Sequence, residues 1–454
     1  MSNDFLDRLC DAVLEPAIVT TREQRRLIAR AMADTIAVAA AGFPEPVTRN
    51  VLAAYGGNGP RAWSGEPCES AEAAILVNGV ASHALDFDDV YLESMAHIST
   101  VLLPAVLRHG DDDPDEVIAA FAAGLIAAKA VARRVGPGHY HKGFHGTGTI
   151  GTFAAAAACG RLAGLDPAQM ANALAIAASL SSGLQANFST QTKPVHAGFA
   201  AAAGYRAARL ARAGVTGSRT VFSERGYPGL YGAGDGEEAP GNDAFELRPD
   251  LISVKLFPCC YASHRLVGIA LDARAALGDK ALQPGARYTL SVPASSIGLL
   301  KHNRPRDGMQ AKFSATYPFA VALLRGTPTL ADFTDSGVGE AKMTQLMERL
   351  EIVEDETQPS GGDIEFGQVA LTIEMPSGGQ RRFVRAALPG SPLDPPAPDA
   401  LREKLAGCLS VYERWSGQAF PLPARAPGLG IEGWLPDAAN AGDDHAPDTY
   451  GVKS

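Results

Sequence analysis

Seven of the ten histidines, at positions 83, 97, 109, 139, 141, 145 and 196, fall between residues 83 and 196 of a 454-residue chain. The same stretch holds the run HALDFDD, from His83 to Asp89, and the segment TKPVH, from Thr192 to His196. Imidazole, with an ordinary pKa of about 6.5, can take and give a proton near neutral pH. Histidines gathered beside carboxylates and a lysine therefore suit proton transfer on a small anionic molecule. His97 and His145 are the best placed, because each stands in a loop-like segment with Gly, Ser, Thr or acidic residues close by. His83 and His109 read more simply as core histidines with satisfied hydrogen bonds. Taken alone, the acidic run reads as a solvated turn, or as a divalent-cation site built from Asp86, Asp88, Asp89 and His97.

Gly146, Gly148 and Gly151 have the G-x-G-x-x-G spacing of a dinucleotide-binding loop. Such a loop follows a buried strand inside a βαβ unit. The preceding residues, RRVGPGHYHKGFH, cannot make that strand, and the flanking stretches are helical. What remains is a helix start carrying His145, flanked by Thr147 and Thr149.

The elements that must position these residues are alanine-rich helices over residues 1 to about 265. In DPDEVIAAFAAGLIAAKAVARRVGPG, Asp113 is an expected N-cap, Pro114 occupies the first turn, and Arg133, Arg134 and Gly136 mark the end. This helix is apolar nearly all round, but it contains Lys129 and falls short of the roughly 20 apolar residues a bilayer demands, so it predicts a buried bundle helix. GTFAAAAACGRLAGLD, DPAQMANALAIAASLSSGL and HAGFAAAAGYRAARLARAGVTG repeat the pattern. RYTLSVP (287–293), RLEIVED (349–355), QVALTIEM (368–375) and RRFVRAA (381–387) alternate as half-buried strands, with a hairpin expected at Ser377-Gly378-Gly379. The predicted division is a helical domain at 1–267, an α/β unit at 268–392, a return to the helical domain at 393–423 and an irregular tail at 424–454.

A net charge of −10, with 40 basic against 50 acidic residues and no concentrated basic stretch, argues against nucleic acid or an anionic membrane as partner. MSNDFLDRLCDAV lacks the basic and apolar regions of a secretory signal, so a cytoplasmic location is expected. Six cysteines without a C-x-x-C pair suit reduced, packed thiols, the neighbours Cys259 and Cys260 included.

Five collinear blocks resemble the signature blocks of the MmgE/PrpD family. They are NGVASHALDFDDVYLESMAHISTVLLPAVL (78–107), GFHGTGTIGTFAAAAACGRLAGLD (143–166), TKPVHAGFAAAAGYRAARLARAGVTG (192–217), KLFPCCYASH (255–264) and NRPRDGMQAKFSATYPFAVALLRG (303–326). Among the family's members are 2-methylcitrate dehydratase, cis-aconitate decarboxylase and iminodisuccinate epimerase. The resemblance implies a mainly α fold: a large helical domain from both chain ends, with an inserted, smaller α+β lid domain and the active site between them. It also implies a homodimer, no metal and no organic cofactor.

Residue by residue, the resemblance carries over Asp86, His97, His145, Lys193, His264 and Tyr317. His97 is expected as general acid/base. His145, Lys193 and His264 are expected to bind and polarise carboxylates, Tyr317 to donate a hydrogen bond or act as a second acid, and Asp86 to orient a histidine. Lys255 stands either as a ligand cation or as a structural ion pair. His196, Thr147, Lys312 and Arg304 complete the expected binding set. Many members have threonine and proline where this chain has Val90 and Ile98, and two apolar replacements point to a substrate with an apolar portion. The implied activity is a lyase moving a proton at the carbon α to a carboxylate of a small di- or tricarboxylic acid. A dehydratase of the 2-methylcitrate or citrate type comes first, a decarboxylase or epimerase in the same pocket second, and a non-catalytic homodimeric binding protein last.

Overall fold

The computed structural model describes residues 4–107, 113–232, 240–293, 298–358, 367–423, 428–431 and 433–435. His109 and most of the expected irregular tail lie outside these residues. The structure is mostly helical with small sheets. Asp113 accepts from the Asp115 amide at the start of the helix Pro114–Val135, which ends at Gly136 with φ 64°. Asp166 and Gln169 cap each other reciprocally at the start of Pro167–Leu180. Among the described residues no single helix is long and apolar enough to cross a membrane.

Small residues let the central helices approach closely. A Cβ on Gly79 of the helix Ala71–His83 would lie 2.8 Å from the Gly198 Cα, on the helix Thr192–Arg212. One apolar core runs from Phe5 to Val254 and is joined by Leu401, Leu405, Cys408 and Tyr412 of the helix Pro398–Ser416. Leu429 and Ile431, within the segment expected to be irregular, are also buried in it. A second core spans Phe257 to Leu388 and takes in Val90 and Leu92. Its four-stranded sheet has the spatial order Leu350–Glu354, Arg287–Val292, Val369–Glu374, Gln380–Arg385, with the first pair parallel and the other two antiparallel. Tyr288, Leu290 and Val292 alternate into that core. The expected hairpin closes with the Met375 amide on the Gly379 carbonyl at 3.0 Å.

Two small pairings have no counterpart in the sequence reading. Gly56–Arg61 pairs with Pro67–Cys68, and Val90–Tyr91 pairs antiparallel with Ile252–Ser253. Three of these four strands have two residues, too few to show a period, and the fourth, GGNGPR, has no alternation of apolar residues. The second pairing clips the end of the acidic run to the segment that reaches Lys255. From another side, buried Lys404 donates to the Phe87 carbonyl at 2.9 Å and pairs with Asp34 at 2.6 Å, so the helix Pro398–Ser416 also grips the acidic run.

Candidate active site

Among the described residues, three non-glycine residues have left-handed backbone: Asp86 at φ 54°, Met95 at φ 47° and Ser189 at φ 64°. Asp86 and Met95 line one cavity, and Ser189 follows Phe188, which lines it too. Such conformations cost on the order of 1–3 kcal/mol each and persist only where the surroundings hold them. At Asp86 the holding groups are visible: its carbonyl accepts from the Lys255 ammonium at 2.8 Å, and its amide donates to the His83 carbonyl at 3.2 Å.

The Asp86 carboxylate stands between two buried ammonium groups, with Lys193 Nζ 2.7 Å and Lys255 Nζ 2.6 Å from Oδ1. Burial pushes this carboxyl up, but Lys193 and Lys255 outweigh it and hold it well below the ordinary carboxylate range. Burial likewise opposes the charge on Lys255, and Asp86 and Asp88 overcome it, so its pKa is raised. The second carboxylate oxygen of Asp86, Oδ2, is buried without a hydrogen-bond partner.

His97 reaches the cavity with its ring held at Nδ1 and its backbone held by Thr147. Its Nδ1 lies 2.8 Å from the Asp89 carbonyl and 3.0 Å from Asp88 Oδ2, and its amide donates to Thr147 Oγ1 at 3.0 Å. Its Nε2 lies 3.7 Å from Asp86 Oδ1. Burial lowers its pKa, Asp88 opposes that, and Lys255 adds to it. His145 is the N-cap of the helix Gly146–Leu162; its Nδ1 meets His196 Nδ1 at 3.0 Å and its ring stands edge-on to Phe188. Burial first, and Lys193 after it, hold His145 well below the usual imidazole value. In the free protein both histidines are therefore neutral, and the lysines are the fixed cations of the cavity.

The glycine spacing of 146, 148 and 151 serves packing. A Cβ on Gly146 would lie 2.9 Å from the Ser94 carbonyl oxygen, and one on Gly148 would lie 2.3 Å from that of Ser182. The missing side chain at Gly146 lets the helix carrying His145 press against the His97 loop, and that at Gly148 lets it press against Ser182 and Gly183. Gly148→Ala should accordingly cost about 1–3 kcal/mol, as overpacking against backbone does, read as a lower urea midpoint with an unchanged slope.

Of the residues expected at the site, Asp86, His97, His145, Lys193 and Lys255 line the cavity. Thr147 and His196 stand one layer behind, holding His97 and His145. Lys312 is buried nearby; burial lowers its pKa, opposed by Glu45 and Asp86, while its carbonyl receives the Cys260 amide. His264 bonds to the Phe257 carbonyl at 3.1 Å and packs against Tyr261, behind the wall that Tyr261 forms. The Tyr317 hydroxyl donates to the Asp332 carbonyl at 2.5 Å, away from the cavity, and Arg304 is exposed. Val90 lines the cavity, whereas Ile98 is buried in the first core. Tyr140, Phe188, Cys260, Leu299 and Phe313 also form the wall. Tyr140 and Cys260 lie in motifs visible in the sequence, HYHKGFH and KLFPCCYASH; Phe188 and Leu299 carry no such signal.

His83, Asp86, Asp88 and His97 could each turn one ligand atom to a common point, all within 4.8 Å of one another. A cation there would have to displace two ammonium groups from Asp86. The arrangement is better suited to holding an anion and moving a proton.

The MmgE/PrpD N-terminal domain model matches residues 8–236, and the MmgE/PrpD C-terminal domain model matches residues 257–418. The chain is similar to cis-aconitate decarboxylase of Mus musculus, 27% identical over 317 residues, covering 66% of this chain and 64% of that protein. It is similar to the Homo sapiens protein of the same name, 27% identical over 316 residues, covering 66% and 65%. A cis-aconitate decarboxylase of Aspergillus terreus is 28% identical over 291 residues, covering 58% and 59%. The matched stretches thus span a little under two thirds of these relatives. With both domain models matched in order, the chain belongs to the MmgE/PrpD family.

Proposed function

We propose that the protein is a lyase that decarboxylates a small unsaturated polycarboxylate of the cis-aconitate kind. The supporting observation is that Lys193, Lys255, Asp86 and two neutral histidines meet at one cavity. Loss of CO2 from a carbon next to a conjugated C=C–carboxylate breaks one C–C bond and leaves an electron pair spread over the allyl and carboxylate atoms. The double bond shifts, and a proton joins the carbon α to the retained carboxylate. Lys193 and Lys255 would face the oxygens on which charge grows, where preorganised cations contribute several kcal/mol. His97 Nε2 would deliver the proton. It would acquire that proton with the substrate, because an incoming anion raises the pKa of a neighbouring imidazole. Dehydration of a methylcitrate-type acid would use the same groups with His97 as base; the decarboxylase names of three similar proteins favour the first reading.

A cavity of about 50 Å³ is far smaller than the several hundred Å³ of ordinary ligand sites. The wall combines Asp86, His97, His145 and Lys193 with Leu299 and Phe313, which belong to residues 268–392. We therefore read residues 268–392 as a lid that parts from the helical domain to admit substrate.

The test is NMR in D2O of cis-aconitate, citrate, 2-methylcitrate and substituted succinates with the wild type. CO2 release with one deuterium gained supports the proposal. Water loss from the hydroxy acids selects dehydration, and silence from folded protein removes both. The pH profile discriminates further. A proton donor whose free-enzyme pKa lies below the usual 6.5 makes kcat/KM fall about tenfold per unit as pH rises above that pKa, whereas a base would make it fall towards low pH.

A further inference from the structure

Behind the cavity wall, two histidines face one carboxylate. His83 Nδ1 lies 2.9 Å from both oxygens of Asp88. His97 Nδ1 lies 3.0 Å from Asp88 Oδ2 and 2.8 Å from the Asp89 carbonyl. Carboxylate and carbonyl oxygens only accept, so each Nδ1 carries the proton. The lone pair of neutral His97 is therefore on Nε2, the atom nearest Asp86 in the cavity. Neither Asp88 nor His83 lines that cavity. Burial pushes the Asp88 carboxyl up, but His83 and His97 hold it well below the ordinary range, so it is an anion at neutral pH. Burial lowers His83 to about 4, which leaves it a neutral donor.

We propose that Asp88, anchored by His83, is a positioning residue for His97: it keeps Nε2 turned to the substrate and stabilises the imidazolium that delivers the proton. The proposal rests on the decarboxylase reading above. Of the two groups at Nδ1, the Asp89 carbonyl can orient the ring and the Asp88 anion favours its charged form. His83 holds both Asp88 oxygens, so the carboxylate cannot swing away when His97 changes charge. The charged groups facing His97 are Asp86, Asp88, Lys193 and Lys255, with His83 and His145 neutral beside it. Removing Asp88 alone shifts that balance towards a lower His97 pKa.

Asp88→Asn keeps the shape and removes the charge. We expect kcat to fall about 100-fold with KM changed less than about threefold, as for an orienting carboxylate behind a catalytic histidine. The falling limb of kcat/KM should move to lower pH. In substrate-free protein labelled with 15N-histidine, the His97 signal, identified by its loss in His97→Gln, should show the proton on Nδ1, and that pattern should change in Asp88→Asn. Activity within about threefold of wild type, with an unmoved pH limb, overturns the proposal. So does a wild-type His97 protonated on Nε2 at neutral pH. If no acid in the panel is turned over, the decarboxylase reading fails and the NMR result alone decides the role of Asp88. If Asp88→Asn does not fold, the wild-type tautomer and His83→Gln decide it: His83→Gln should lower kcat and move the pH limb in the same direction, and a loss of kcat with an unmoved limb counts against it.

Discussion

His97→Gln will lower kcat by roughly a thousandfold, within the range expected when a positioned proton carrier is removed, and will leave KM nearly unchanged. Glutamine can still accept the constraint at the backbone, where the His97 amide meets Thr147, and it can reach towards the Asp89 carbonyl. What it lacks is a group that titrates. KM should hold because burial keeps His97 uncharged in the free protein, so the anion-binding charge resides on Lys193 and Lys255 and is untouched by the change. The measurement is steady-state turnover of whichever acid the NMR panel identifies, with circular dichroism to confirm the fold. A variant that keeps kcat within about threefold of wild type would move the proton-transfer role to His145, the other histidine lining the cavity.

The parts of the structure that were legible in the sequence are those governed by local rules. Asp113, Pro114 and Gly136 bound a helix because capping and backbone preference act within a few residues. The strands at 287–292 and 369–374 show their period of two because one face is buried. Asp86, His97, His145 and Lys193 were visible as residue types in recurring blocks, yet their partners were not. That Asp86 answers Lys193 and Lys255 at once depends on a left-handed turn and a two-residue strand pairing, neither of which leaves a pattern. His83 reads as a plain core histidine and Asp88 as part of a solvated turn, because the contact joining them to His97 is set by how the loop folds back. Tyr317 shows the converse. Its block resembles a site motif, but its hydroxyl is directed to the Asp332 carbonyl within the second core.

Asp86→Ala will destabilise the protein by about 3–5 kcal/mol at neutral pH, the range for breaking a buried ion pair from one side. The cause is the pair of ammonium groups it leaves behind, since the Lys193 and Lys255 side chains are 7% and 1% exposed. Two further variants separate charge from backbone. Asp86 has φ 54°, where alanine costs roughly 1–2 kcal/mol and asparagine less, so Asp86→Asn isolates the charge. Asp86→Gly should be more stable than Asp86→Ala by about 1 kcal/mol, because glycine adopts this backbone without strain. Lys255→Met added to Asp86→Ala should restore part of the loss, with a coupling of about 0.5–3 kcal/mol in a double-mutant cycle. The pH dependence follows from the depressed Asp86 pKa. The stabilisation is fully present above the unfolded value near 3.8 and is lost as pH falls through the lower folded value. The gap between wild type and Asp86→Asn in urea midpoint should therefore stay constant from pH 8 to about pH 5 and close only in stronger acid. A gap that closed between pH 7 and pH 5 would assign the stabilisation to His97 or another imidazole instead of the carboxylate.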